Sequence, residues 1–190
     1  GWTLIRENRT VAALLGLAIV TEVFAFTHIT ILPIFAKDVW QAGPEGLGTL
    51  VTGRAFGALA GVALLAGFGD RMPKGRGLLV AGGVFGAGLV AFGGSPSFMF
   101  ALLTLTIAGA AGGVFDTLQQ TALQTTVGEG QRGRAMGVWV LGLGVGPVGH
   151  LQVGAVAQTI GAPNTLMLNG TLLMFIVVAV SLLIPRLWRL

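Results

Sequence analysis

Six apolar runs divide the chain, at residues 10–36, 46–68, 77–94, 98–125, 135–160 and 164–184, and short polar breaks separate them. Each reaches or nearly reaches the ~20 residues that an α-helix needs to cross the hydrocarbon of a bilayer. Neither the alternation of a half-buried strand nor a polar outer face recurs along them. The pattern therefore predicts an all-α integral membrane protein of six spanning helices. Before the first run, Trp2 to Arg9 forms a polar lead that reads as an interfacial helix. Between the first two runs, KDVWQAGPE (37–45) reads as a loop with Trp40 suited to the interface.

Composition agrees. Of 190 residues, 54% are hydrophobic and 9% charged, against roughly 25% charged in soluble domains, and mean hydropathy is +0.86. So few charges cannot cover a water-facing surface, and the solvent is the lipid bilayer. The formal net charge is +4, but basic clusters interleaved with aromatics are missing, so a nucleic-acid partner is not expected. The chain has no cysteine and two well-separated histidines, so neither disulfides nor a metal site is expected. It begins with Gly rather than Met, and its first run is too long for a signal-peptide core, which reads as a fragment of a longer chain.

The charges orient the runs. Arg6, Arg9, Arg71, Lys74, Arg76, Arg132, Arg134, Arg186 and Arg189, nine of the eleven bases, fall in breaks on one side, while Lys37 lies opposite. By the positive-inside rule both termini are cytoplasmic, in a multi-pass protein of the cell (inner or plasma) membrane.

Four ionisable residues fall at membrane depth within the runs: Glu22, Arg54, Asp116 and His150. Such groups face a cavity or a partner, because lipid does not solvate charge. They fall in runs one, two, four and five, so those helices are expected to line something polar, with runs three and six facing mainly lipid. Glu22 lies ~18 Å from the start of its run and Arg54 ~12 Å from the opposite surface, depths that nearly coincide. The two are expected to pair, either as a static lock or around a bound ion or substrate. Asp116, Gln120 and Gln124 form an i, i+4, i+8 stripe, read as a wet cavity wall at Asp116 and as an emerging helix end at Gln124. His150, behind Gly146-Pro147, reads either as a titrating group or as a packing histidine; His28 reads as interfacial. Gly53, Gly57 and Gly61, with Gly142 and Gly146, are small-residue stripes for close helix packing, which would also allow sliding.

Several stretches resemble the major facilitator superfamily of secondary transporters. Its loops between the second and third helices carry G-x-x-x-D-R-x-G-R-K, and residues 66–76 read AGFGDRMPKGR, matching at Asp70 and Arg71 and, after a shift, at Gly75 and Arg76. ILPIFAKD (31–38) leading to GLG (46–48), and LQQTALQ (118–124) followed by RGRAMG (132–137), are similar to the exporter branch that includes the enterobactin exporter and macrolide efflux proteins. GPVG (146–149) resembles the glycine-proline motif of antiporters, with His150 breaking it.

The resemblance implies the C-terminal six-helix half of a twelve-helix transporter, a 3+3 inverted repeat, with a missing N-terminal half or a second copy as partner. It implies alternating access around a midplane site, export of a small-molecule substrate (drug- or siderophore-like), no cofactor, and a proton gradient as the coupling source through Glu22 and Asp116. Asp70, Arg71 and Arg76 would then belong to a cytoplasmic gate, with Arg132 or Arg134 as partners. The competing class is an intramembrane aspartyl protease or prepilin peptidase, because residues 67–70 spell GxGD and Asp116 offers a second carboxylate for a shared proton.

Overall fold

A computed structural model describes residues 8–69 and 73–190, the side chains of Phe68 and Arg189 apart. The first span starts at α1 (Arg9–Thr21), whose first turn is capped by the Asn8 side chain accepting from the amides of Thr10 and Val11. It runs on through a π-helical turn (Glu22–Phe26), α2 (His28–Ile34) and a second π turn (Phe35–Val39). Then come α3 (Gly43–Phe68), α4 (Lys74–Gly93), α5 (Phe98–Thr126), α6 (Arg132–Leu143), α7 (Gly146–Ile160) and α8 (Ala162–Leu183). The six predicted spans are all present and are long and apolar enough to cross a membrane, and no strand occurs among the described residues. In lipid each backbone polar group must be bonded within its own helix, so the chain stays helical despite its glycines. Hydroxyls at depth are absorbed the same way: Thr21, Thr104, Thr117 and Thr121 donate to carbonyls one turn back.

Several boundaries move. The first span continues to Val39 rather than ending at 36, α3 begins at Gly43, α4 at Lys74 and α6 at Arg132. Arg76, Arg132 and Arg134 therefore stand in first helical turns, where loops were expected. The fifth span breaks at Gly144-Val145, because Pro147 in the first turn of α7 has no amide to continue the ladder.

Glycines set the packing. On α3, a Cβ at Gly53 would lie 2.5 Å from the Leu102 side chain and one at Gly61 2.5 Å from the Ala110 carbonyl, so this stripe lies directly against α5. Gly86 of α4 and Gly170 of α8 approach so closely that a Cβ on either would sit 2.6–2.7 Å from the other's carbonyl oxygen. Gly88 packs on Ala108 of α5, where a Cβ would lie 2.9 Å from the Ala108 Cβ. The charge-free third span was expected to face mainly lipid, but 61% of its most apolar window is buried, against 17% for the second span. Enclosure by α5 and α8 explains why it carries no charge beyond its first turn, and Val80, Val84 and Ala87 are left exposed along it. Gln119, fully inside, donates to the Leu14 carbonyl at 3.0 Å and ties α5 to α1.

The chain after α8 folds back. A 3-10 turn (Pro185–Arg189) buries Leu187 against the start of α4, where Lys74 N–H donates to the Leu190 carbonyl at 2.9 Å. Arg76 lies over the Trp188 ring at 5.8 Å, and Trp188 Nε1–H donates to Ser181. Only glycine fits at position 75, since a Cβ there would overlap the Leu187 carbonyl. Gly75→Val is expected to release this segment and to destabilise the fold by ~1–3 kcal/mol, as overpacking generally does. A red shift of Trp188 fluorescence, with the other tryptophans changed to Phe, and a lowered melting temperature would report it.

At the end away from the basic breaks, Phe35, Phe92, Leu50 and Leu105 form a second core. Trp40 stacks on Phe35 at 5.1 Å and meets Phe92 and Phe98 edge-on, so it covers this core as well as lying at the helix end.

Candidate functional site

Glu22 opens the first π turn and is half-buried. A π turn inserts one residue into the helical ladder and so rotates the residues after it by about 100°, one residue's share of a turn; such turns recur at functional sites. The Glu22 carboxylate points at the break in the fifth span: its Oε1 is 2.9 Å from where a Cβ on Gly146 would be. Gly146 is thus the residue that leaves room for Glu22, and it also begins α7, whose amino-terminal end carries partial positive charge. One turn further along α7 stands His150, exposed, with Nδ1 2.6 Å from the Thr30 hydroxyl of α2. Gly149 fits against Val23 and Thr27, and Gly142 touches Ile19, so both halves of the fifth span pack on the first through glycine.

The expected Glu22–Arg54 pair is not formed. Among the described residues the ion pair found is Arg132–Glu129, at 3.9 Å between exposed side chains. Arg54 instead borders a cavity of about 140 Å³ together with Asp116, Phe26, Phe85, Ala58, Ala108, Gly109, Gly112 and Gly113. The two depths agreed, but depth says nothing of azimuth, and Glu22 faces the start of α7 instead. Arg54 and Asp116 approach the cavity from α3 and α5, held close by Gly109, where a Cβ would overlap the Arg54 carbonyl oxygen. Asp116 accepts from Gln120 Nε2 at 3.0 Å, so the first two members of the stripe are bonded to each other. Gln124, exposed, offers its carbonyl to Arg132 Nε at 3.2 Å.

His28 is a correction and the residue that sequence reasoning missed. Expected at the interface, it is 1% exposed. The span runs on to Val39, so His28 sits some 16 Å short of its far end. Its ring meets Phe85 edge-on at 5.9 Å, and Nδ1 pairs with the Ala25 carbonyl at 2.6 Å. Nε2 is buried without a partner. Only the extra length of the helix would have signalled this position.

Burying an unneutralised charge at membrane depth costs at least ~2.5–3.5 kcal/mol. Glu22, Arg54, Asp116, His28 and His150 therefore form one polar band through spans one, two, four and five. By contrast, an apolar groove of about 480 Å³ between α3, α4 and α5 is lined by Gly, Ala, Val, Leu and Ile alone and offers nothing to a polar ligand. No cluster of His, Cys, Asp and Glu able to hold a metal occurs among the described residues.

A family model for the Major Facilitator Superfamily matches residues 14–187, almost the whole chain. This chain belongs to the Major Facilitator Superfamily. No curated protein and no solved structure matches it. As a member of the superfamily it is a multi-pass membrane protein of the secondary-transporter class, and its six spans are those of one half of the fold. The loop residues that carry the superfamily motif, Asp70 and Arg71, lie outside the described residues. So does the aspartate that a GxGD protease would need, and nothing in the polar band favours that chemistry. Of the other expected gate residues, Arg76 lies over Trp188, Arg132 bonds the Gln124 carbonyl, and Arg134 is exposed.

Proposed function

We propose that the chain is one half of a proton-coupled exporter of small, drug- or siderophore-like molecules, working by alternating access in the cell membrane with both termini cytoplasmic. The observation that carries this reading is Glu22 at the break of the fifth span, beside the amino-terminal end of α7 and one turn of that helix from His150. A titratable carboxylate against a discontinuous helix is the kind of site at which secondary transporters bind ions and substrates. The second half, or a second copy, would complete the pathway over the face where His150, Val148 and Leu151 are exposed. In this reading Asp70 and Arg71 close the cytoplasmic side against Arg132 or Arg134, at the start of the fifth span. No cofactor enters; the proton gradient supplies the work.

The complete two-half transporter, reconstituted in liposomes with an imposed pH gradient, tests it. Substrate is expected to move against its own gradient while protons move the other way, and collapsing the pH gradient with an uncoupler is expected to stop net accumulation. Flux indifferent to the pH gradient would overturn proton coupling, and accumulation in the direction of proton flow would overturn export.

A further inference from the structure

We propose that the cavity between Arg54 and Asp116 receives the zwitterionic head of the transported molecule, a carboxylate on Arg54 and an ammonium on Asp116. This rests on the transporter reading above and adds the substrate class. The two residues of opposite charge border one cavity from different helices, yet form no ion pair with each other among the described residues. No hydrogen bond to the Arg54 guanidinium occurs among the described residues, and Asp116 is engaged by Gln120 through one oxygen, Oδ2. A guanidinium with donors to spare and a carboxylate with a spare oxygen, both at membrane depth, call for a ligand that carries one acceptor and one donor group.

Charge decides which ligand. A simple anion on Arg54 would face Asp116, and a simple cation on Asp116 would face Arg54, so each gains one contact and suffers one repulsion. A zwitterion meets both with the complementary sign. The other titratable groups near the cavity are Glu22, on the first span, and His28, whose ring meets Phe85 edge-on. Size agrees, since about 140 Å³ is well above the ~10–15 Å³ that a single water needs and below the ~300–1,000 Å³ of pockets that take a whole drug. Phe26 and Phe85, ring centroids 5.3 Å apart, give the site apolar walls. The glycines of α5 leave the floor free of side chains.

The complete transporter in nanodiscs, titrated with phenylalanine, its methyl ester and its N-acetyl derivative, tests the proposal. The free amino acid is expected to bind at least tenfold more tightly than either derivative. Arg54→Gln is expected to erase the preference over the ester, and Asp116→Asn the preference over the N-acetyl form. Should Arg54→Gln fail to fold, Arg54→Lys is expected to bind more weakly and keep the ester preference. Equal binding of all three probes by the unmodified protein, or no binding of any, overturns the zwitterion site. Proton-driven transport of another molecule that survives in Asp116→Asn, together with equal probe binding, would sink the proposal and leave the transporter reading intact. No gradient-driven flux of anything would sink the transporter reading itself.

Discussion

Replacing Gly57 with valine is expected to leave no folded protein in the membrane. A Cβ at this position would overlap the Thr106 carbonyl oxygen and lie 2.9 Å from its carbon and 3.2 Å from the Ala110 nitrogen. All three are backbone atoms of a helix, so no rotamer change relieves the contact and the helices must part. Parting them would also undo the contacts at Gly61 and Gly109 on either side. Ordinary overpacking costs ~1–3 kcal/mol, and here the obstruction is rigid and three glycine contacts fail together, against a total stability of only ~5–15 kcal/mol. Gly48 and Gly67 of the same helix are the controls: a Cβ at either meets nothing within 4 Å. Gly48→Ala is expected to fold as well as the parent, since alanine favours helix over glycine by ~1 kcal/mol. The measurement is the monodisperse yield after detergent extraction, with the melting temperature. A Gly57→Val protein that runs as a sharp peak with an unchanged midpoint would mean that α3 and α5 are not this close.

The second large effect is expected on transport with the fold intact. Glu22→Gln keeps the size and the polar tip but removes the charge that faces the start of α7. Proton-driven flux through the complete transporter is expected to fall to that of protein-free liposomes, while yield and melting temperature stay near the parent's, because Glu22 makes no ion pair that the fold would miss. Gly146→Ala approaches the same site from the other side. Its Cβ would lie 2.9 Å from Glu22 Oε1, a contact the flexible carboxylate relieves by turning away, so reduced rather than abolished coupling is expected. Full pH-dependent flux in Glu22→Gln would move the coupling role elsewhere in the band, with Asp116 next to be tested.

The sequence by itself determined the spans, their number and the spacing of their small residues. Run length against bilayer thickness leaves little choice in a chain this apolar, and the glycines at 53, 57 and 61 could lie only on one helical face. It also named four charged positions that the structure brings into one polar band. Their partners were decided only by tertiary structure. Depth along a helix can be counted from residue numbers, but azimuth depends on every irregularity before the residue, and the π turn at Glu22–Phe26 leaves no mark in composition. It turns the residues that follow and, with the longer first span, draws His28 inside, while Glu22 meets Gly146 and Arg54 shares a cavity with Asp116. The third span makes the same point: an uncharged helix reads alike whether lipid or protein surrounds it. Gly86 and Gly170, on separate runs 84 residues apart, had to meet before the difference could appear.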